Sequence, residues 1–363
     1  MTHNILIMII NIKNMAIHKR LIMLLPAFVL MAYNLMANTQ PEFYSRYMKY
    51  SSEELLRMGN TYAEKSKLAD SALVCFSIVV NRATKDMNLQ EKQNVMIGYI
   101  GRWYVYFFGF FNYEKSYANL LQAKRIAEET GLGLSRINLN FGCMYQMMAE
   151  QSGNEQLKNK ALAFYRKAFE ESMKACDESS LNMAFSNMVF LYSDLGKLDS
   201  IHGEWASYNK TGWVKDSFNR KYNINMYNGL KLYSCGKYAE ALKVFQEQKQ
   251  NTQWDEYNTR YLYIVHINTA KVLSAMGRYT EAINEIKKAE KIALRHDMKD
   301  AKLDVYRLLA EYYAKKGENE ITEYECPHVP KLAKFKPPRC PIGVYWNTLC
   351  LMRDVWTIKT YMI

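Results

Sequence analysis

The 363-residue chain lacks the cysteine pattern of a disulfide-stabilised protein. Its seven cysteines are an odd number and are widely spaced, which argues against a disulfide framework. Cys75, Cys143 and Cys235 lie inside helical patterns next to apolar residues, so we interpret them as buried free thiols.

The chain also lacks a recognisable catalytic or metal-binding motif. His202, His266 and His296 have no second histidine or carboxylate at the helical spacing of a metal site, so we interpret each as a surface or packed side chain. No serine or cysteine has a recognisable general base nearby in sequence. The Gly131–Ser135 segment lacks the Lys-Ser/Thr ending of a phosphate loop and is interpreted as a turn between helices.

Beyond the N-terminal segment, no stretch is long and apolar enough to span a membrane. Lys19 and Arg20 precede an apolar stretch, Leu21 to Ala32, in the pattern of a secretory signal. We predict cleavage after Ala37, with an uncleaved anchor of about 17 residues as the alternative. Residues 1–37 are therefore a predicted signal peptide or membrane tether. The protein is predicted to be exported, either periplasmic or anchored in the inner membrane facing the periplasm.

What the chain does contain is a repeated glycine pattern, Gly-x-(Tyr/Leu)-x-x-(Ala/Ile). It begins at Gly196, Gly236 and Gly277, which are 40 and then 41 residues apart. Glycine adopts the left-handed conformation that ends a helix, and apolar residues on both sides of Gly236 recur three and four residues apart. A fixed period of roughly 20–50 residues predicts a solenoid of stacked helix pairs.

These repeats resemble the tetratricopeptide repeat (TPR) family. Its signature is a small residue in helix A, a Gly-x-Tyr turn, an alanine in helix B and an aromatic residue four positions later. One copy matches at Gly229, Gly236, Tyr238, Ala241 and Phe245. The next matches at Ala270, Gly277, Tyr279, Ala282 and Ala289, with Ile286 in the aromatic position.

Looser copies extend the pattern towards the N-terminus. One contains Gly142, Tyr145, Ala161, Tyr165 and Ala168, with an insertion expected in its turn around Gly153. Another contains Val189, Tyr192, Gly196, Ile201 and Trp205. We call the residue at the alanine position of helix B the helix-B marker. The helix-B markers fall at positions 72, 116, 161, 201, 241 and 282. We therefore predict an all-α, TPR-like α-solenoid of six repeats within residues 38–317. Its helices should be long, because the period exceeds the usual length of about 34 residues.

The resemblance implies that helix-A residues line a concave binding surface. By alignment to the repeat, the candidate groove residues are Gln146, Ser186, Phe190, Met226, Leu230, Tyr233, Ile267 and Lys271. The family's best-known grooves hold a peptide carboxylate with several Lys, Arg and Asn residues, and only Lys271 is of that kind here. An extended peptide or a helix is therefore the expected occupant.

Residues 103–111 form an unusually aromatic segment, with seven aromatic residues in nine positions. We interpret it as the end of a buried helix A, with Phe110 and Phe111 capping the turn. The alternative is an exposed patch that binds a partner or a membrane interface.

The repeat register continues to Gly317 and then fails. Asn319 and Thr322 stand where Tyr and Ala are expected, and five of the seven prolines lie between positions 327 and 341. For this tail, residues 318–363, three interpretations stay open: a shifted reading frame, a natural irregular cap, or a metal site built from Cys326, His328, Cys340 and Cys350. We expect the last helix A, residues 303–316, to fray without its helix B.

Exported repeats of this long period look like the sensory half of bacterial envelope regulators. We therefore predict a non-enzymatic scaffold that binds a protein or peptide in the bacterial cell envelope, without a cofactor. One alternative is the sensory portion of a membrane-bound transcriptional or signalling regulator that lacks its transmembrane and output domains. Another is an enzyme with a site on the solenoid. The formal charge of +12 is interrupted by acidic residues, so a nucleic-acid partner is not expected.

Overall fold

The computed structural model describes residues 44–317, except 64–65, 215–216, 252–253, 255–257 and 297. Within that range the chain forms helices and turns, with no β-strand. The predicted signal segment and the tail from residue 318 lie outside the described residues. The chain divides into two compact units, of which the first ends at Val105 and the second begins at Tyr106.

The first unit contains helical residues 44–48, followed by α1 Ser52–Ala63, α2 Ala69–Asn81 and α3 Leu89–Tyr104. Phe76 of α2 packs between two glycines. A Cβ atom added at Gly59 would lie 2.7 Å from its ring, and one at Gly101 would lie 2.5 Å away. Neither position has room for a side chain, so both α1 and α3 approach α2 closely.

A π-helix, Val105–Gly109, spans the boundary between the two units. The α-helices of the second unit are α4 Tyr113–Thr130, α5 Leu134–Ser152, α6 Glu155–Ala175, α7 Glu178–Asp194, α8 His202–Lys210, α9 Phe218–Ser234, α10 Tyr238–Asn251, α11 Thr259–Ala275, α12 Tyr279–Arg295 and α13 Lys299–Lys316. Helices α5, α7, α9, α11 and α13 are A helices, and α4, α6, α8, α10 and α12 are B helices. The A helices α5, α7, α9 and α11 contact one another in sequence, so they form a continuous layer.

Hydrogen bonds between consecutive repeats reproduce the period of the sequence. Ser135 donates to Asp177 over 2.7 Å, 42 residues away, and Arg166 donates to Glu204 over 2.8 Å, 38 residues away. The Asn223 amide donates to the Asn182 carbonyl over 2.8 Å, 41 residues away. These contacts differ in kind, but all of them join residues about one repeat period apart, as expected for a solenoid whose repeats contact their neighbours.

The six helix-B markers are confirmed as core positions. All six side chains are fully buried, namely Ala72, Ser116, Ala161, Ile201, Ala241 and Ala282. Ser116 and Ile201, which stand where the signature has alanine, are as buried as the others. The turn glycines are confirmed as well. Gly196, Gly236, Gly277 and Gly317 all have positive φ, from 66° to 89°, where a residue with a Cβ atom is strained.

The predicted close approach of helices A and B is confirmed where glycine meets an aromatic ring. A Cβ atom added at Gly229 would lie 2.5 Å from the Phe245 ring, and one at Gly142 would lie 2.4 Å from the Tyr165 ring. The expected insertion in the turn of this earlier repeat is wrong. Helices α5 and α6 are joined by only two residues, Gly153 and Asn154, so the extra residues lengthen the two helices instead.

The aromatic segment is divided between its two interpretations. Trp103, Tyr104 and Phe107 are buried, as the helix interpretation predicts, whereas Phe110 and Phe111 are exposed. At the other end of the described chain, α13 extends to Lys316, and its residues Leu309 and Tyr313 are buried. Fraying of this helix concerns its dynamics and stays a prediction that hydrogen exchange can test.

Candidate binding surface on the A helices

The eight predicted groove residues lie on α5, α7, α9 and α11, but they differ in exposure. Five are buried in the described structure: Gln146, Ser186, Met226, Leu230 and Ile267. The other three, Phe190, Tyr233 and Lys271, are half-buried and present part of their side chains to solvent. Only these three have surface available to a partner without a rearrangement.

Gln146 shows why alignment alone selects some core residues. Its Oε1 accepts a hydrogen bond of 2.7 Å from the Tyr165 hydroxyl, so its side chain is directed towards α6 and not away from it. Burial raises the pKa of Tyr165, which keeps the phenol neutral and able to donate. Gln146 therefore belongs to the contact between helices A and B.

Phe190, Tyr233 and Lys271 lie on three consecutive A helices, and we call them the A-helix row. They are 43 and then 38 residues apart, close to the repeat period. The Tyr233 ring lies 5.6 Å from the Tyr238 ring. Burial and Tyr238 raise the pKa of Tyr233, so its hydroxyl can donate a hydrogen bond. The row offers two aromatic surfaces followed by a cation.

The same layer contains buried polar atoms for which the described structure provides no hydrogen-bond partner. They are both amide atoms of Asn140, Oε2 of Glu150 and Oγ of Ser180, and we call these the inner polar groups. A buried polar group left unpaired costs about 1–3 kcal/mol, so each marks a place where another molecule could complete the bonding. The sequence analysis missed Asn140, Glu150 and Ser180.

Asn140 differs from Gln146 in the direction it faces on α5. It lies two residues before Gly142, which packs against Tyr165. Two residues correspond to a rotation of about 200° around a helix, so Asn140 is on the side of α5 that faces away from α6. A signal for this position existed in the sequence, namely an amide opposite the small residue of helix A.

Glu150 is a buried acid at the end of α5. Burial raises its pKa to about 9. A hydrogen bond with the Gln146 side chain opposes this shift, the carboxylates of Asp194 and Asp304 add to it, and Lys158 opposes it. The packing of α5 against α7 is consistent with an effect of Asp194 on Glu150. Asn187 of α7 donates to Cys143 of α5 over 3.7 Å. Asp194 follows Asn187 by seven residues, and Glu150 follows Cys143 by the same number. At neutral pH Glu150 is therefore protonated and can both donate and accept.

A second buried glutamate, Glu285 of α12, is fully paired. His266 Nδ1 lies 2.7 Å from its Oε2, Lys249 Nζ lies 2.8 Å from the same oxygen, and Lys288 Nζ lies 2.8 Å from Oε1. Burial alone would raise the pKa of Glu285, but these three donors outweigh it and hold the pKa well below its usual range. The interpretation of His266 as a packed side chain is confirmed, but its contact with Glu285 was not predicted from the sequence.

The remaining candidates for chemistry have structural roles. Gly131 and Gly133, both with positive φ, form the turn between α4 and α5. Cys75 and Cys143 are buried and form no disulfide, but Cys235 is exposed at the end of α9, so its predicted burial is wrong. Among the described residues, no group of three His, Cys, Asp or Glu side chains could hold a metal ion. None of the described helices has both the length and the apolarity to span a membrane.

Comparison with known proteins gives structural likenesses at low identity. No protein-family model and no curated protein matches the chain. The apo quorum sensor NprR from B. thuringiensis is 14% identical, with 84% of this chain and 94% of that chain covered and a TM-score of 0.47. NprR in complex with its cognate peptide NprX is 15% identical, covering 90% and 92%, with a TM-score of 0.48.

A Rap protein complexed with competence and sporulation factor is 14% identical, covering 76% of this chain and 74% of that one, with a TM-score of 0.40. At these identities and TM-scores, neither a ligand nor an activity is transferred to this chain. The chain itself is a TPR-like helical repeat, as its own helix pairs, turn glycines and buried markers establish.

Proposed function

We propose that the chain is a non-enzymatic scaffold that binds an extended peptide, or a peptide segment of a protein, along its A helices. The observation that carries this proposal is the set of inner polar groups. Asn140, Glu150 and Ser180 lie in a layer of helices whose backbone groups already bond to one another, so they have spare bonding capacity. An extended peptide has an unpaired N–H and C=O at every non-proline residue. Because Asn140, Glu150 and Ser180 are buried, the peptide would supply their missing partners only after a local rearrangement of the A helices.

The chemistry of the inner polar groups matches a peptide backbone. The Asn140 amide can accept from a peptide N–H and donate to a peptide C=O at the same time. The protonated Glu150 carboxyl can donate to a carbonyl without introducing a buried charge. Neither residue offers a nucleophile placed beside a base, which supports binding in preference to catalysis.

The A-helix row supplies contacts for side chains of the same peptide. Phe190 and Tyr233 offer rings to apolar residues, and Lys271 offers a cation to an acidic residue or a terminal carboxylate. Because the row repeats with the helix pairs, its members can contact successive parts of an extended ligand. The predicted peptide therefore has apolar residues on one side and an acidic group towards α11.

The test is a displayed library of random peptides selected on the full chain. Selected peptides should bind the wild type and should lose affinity roughly tenfold or more in Asn140→Leu and Tyr233→Ala, because each change removes a contact. Lys243→Ala is the matched control, since this exposed lysine lies on the B helix α10 and should leave affinity unchanged. Circular dichroism should show that all three variants fold.

Two outcomes would overturn the proposal. One is the absence of any enriched peptide after selection on folded protein. The other is a set of enriched peptides whose affinity is the same in wild type, Asn140→Leu and Tyr233→Ala, because such peptides would bind another surface.

We further propose that the scaffold acts in the bacterial cell envelope. The support is the charged and apolar pattern of residues 19–37, which has the form of an export signal. Alkaline phosphatase fused after Ile363 should be active in intact cells if the chain is exported. Activity only after cell lysis would overturn this location and, with it, the relation to envelope regulators.

A further inference from the structure

Glu150 lies at the end of a line of buried polar groups that determines how its carboxyl group is presented. The Tyr165 hydroxyl donates to Oε1 of Gln146 over 2.7 Å, so the NH2 group of that amide is directed away from Tyr165. Glu150 follows Gln146 by four residues, which places both side chains on one face of α5. A hydrogen bond with the Gln146 side chain lowers the pKa of Glu150, against the larger effect of burial. The Gln146 amide therefore supports the carboxyl group from one side.

The other side of the Glu150 carboxyl group is open. Its Oε2 has no hydrogen-bond partner among the described residues, although the side chain is only 9% exposed. Asp194, at the C-terminal end of α7, is exposed, and the contact between Asn187 and Cys143 places it in register with Glu150. Two acids from neighbouring A helices thus come to the same place, one of them buried and the other in contact with solvent.

The charged groups around Glu150 leave this place short of positive charge. Asp194 of α7 and Asp304 of α13 raise the pKa of Glu150, and Lys158 of α6 lowers it by the smaller effect of a separated charge. Asp304 has a cation of its own, since Arg307 Nε lies 3.9 Å from its Oδ1. In the described part of the chain, neither Glu150 nor Asp194 has a basic side chain within ion-pair distance.

Glu285 shows what basic groups do to an acid of similar burial. Three basic side chains surround its carboxylate, and its pKa is lowered. A basic group that reached Oε2 of Glu150 would act in the same direction and would also offset the charge of Asp194. The Glu150 site thus has the acceptor of an ion pair, whereas the fold supplies no cation for it among the described residues.

We propose that Glu150 and Asp194 form a subsite for the cationic group, an ammonium or a guanidinium, of the bound peptide. This inference rests on the proposed function, because it assigns a place to one group of the same peptide. The cation would contact the exposed Asp194, and would reach Glu150 after the local rearrangement of the A helices that peptide binding requires. Glu150 would then release its proton to water, so that one carboxylate is formed and one proton leaves for each peptide bound. The peptide would have a basic group towards α5 and an acidic group towards Lys271 of α11.

The first experiment examines the peptides selected from the random library on the full chain. Synthetic copies of them are made in two forms, one with norleucine in place of lysine and arginine and one with an acetylated amino terminus. One of these changes should weaken binding roughly tenfold or more, and it identifies whether a side chain or the amino terminus supplies the cation. If peptides bind in an Asn140-dependent way but neither change matters, the subsite is overturned and the proposed function stands. A library that gives no binding peptide overturns both.

The second experiment measures the affinity of the same peptides for variants of the full chain. Asp194→Asn should weaken binding by roughly fivefold, as expected for loss of an exposed charge pair. Glu240→Gln is the matched control, because it removes an exposed carboxylate from the B helix α10 and should leave affinity unchanged. Equal affinity of wild type and Asp194→Asn would contradict the assignment of Asp194.

The pH dependence of binding tests the part assigned to Glu150. Between pH 6 and pH 7.5 the affinity of the wild type should rise by up to about tenfold per pH unit, because ion-pair formation releases a proton. Glu150→Gln keeps the shape of the side chain but has no proton to release, so its affinity should vary little over this range. Calorimetry in buffers of different ionisation enthalpy should show about one proton released by the wild type and none by the variant. The same pH dependence in both proteins would overturn the proposal.

Discussion

Glu150 and Glu285 are buried to nearly the same degree, with 9% and 8% exposure, yet their surroundings are opposite. Glu285 receives hydrogen bonds from three basic side chains, and its pKa is lowered. Glu150 has an oxygen without a partner among the described residues and is influenced by two further carboxylates, and its pKa is raised. The pair shows that burial alone does not determine the charge of an acid. All of the hydrogen bonds of the Glu285 carboxylate come from the fold, whereas Oε2 of Glu150 has no partner among the described residues.

The largest expected effect is the loss of the Glu285 carboxylate. Glu285→Ala would leave the half-buried Lys249 and the buried His266 without their anionic partner, and should lower the free energy of unfolding by about 3–5 kcal/mol. Urea denaturation at pH 7 measures this change. Glu281→Ala on the same helix removes an exposed carboxylate and should leave the midpoint unchanged. We call Glu285, Lys249, His266 and Lys288 the Glu285 cluster. Equal effects of the two substitutions would show that this cluster stabilises the protein no more than an exposed ion pair does.

The next effect concerns Glu150 and depends on pH. Its pKa is about 9 in the folded protein and near the ordinary value of 4.5 in the unfolded chain. The folded state therefore holds the proton more tightly, so the wild type loses stability as pH rises from 4.5 towards 9. Glu150→Gln cannot ionise, and its stability relative to wild type should increase by about 4 kcal/mol between pH 5 and pH 8, because each pH unit in this range adds about 1.4 kcal/mol.

Urea denaturation at several pH values checks this prediction, with Glu155→Gln at the exposed start of α6 as the control. A pH-independent difference between wild type and Glu150→Gln would show that Glu150 is already ionised. Glu285 should behave in the opposite way. Its lowered pKa contributes stability that is present above about pH 4.5 and is lost as pH falls below that value.

The smallest expected effect separates the two lysines of the Glu285 cluster. The Lys249 side chain is 17% exposed and the Lys288 side chain is 57% exposed. Lys249→Met should cost about 1.5–3 kcal/mol, as for a sheltered bond to a charged group, whereas Lys288→Met should cost about 0.2–1 kcal/mol, because solvent screens the pair. Thermal or urea unfolding compares them directly. A larger loss in Lys288→Met would mean that burial does not decide the strength of these bonds.

The fold was largely predictable because its main requirements are local. Glycine is needed at Gly236 and Gly277, where φ is 74°, and a small residue is needed at Gly229, where the Phe245 ring leaves no room. Such steric limits recur at the repeat period and can be read without knowing any long-range contact. The insertion expected around Gly153 was wrong for a related reason. Spacing shows that residues are added, but not whether a turn or a helix absorbs them.

The candidate site was predicted less well. The alignment selected the correct helices, but it placed Gln146 in the groove when its side chain meets Tyr165, and it missed Asn140 on the other side of α5. The direction in which a helix side chain points depends on how that helix is rotated about its axis relative to the neighbouring helices. The partners of Glu285 show the same limit, because Lys288 is three residues away but His266 and Lys249 are 19 and 36 residues away.

The sequence by itself determined that this chain is an array of helix pairs, that Gly196, Gly236 and Gly277 mark turns, and that the helix-B markers are buried. Those properties follow from backbone conformation and side-chain size, which each residue carries with it. Only the tertiary structure decided which polar groups find partners: it paired Glu285, left Glu150 protonated, and exposed Phe111. Pairing and exposure depend on groups brought together from distant parts of the chain, and so they appear only once the helices have packed.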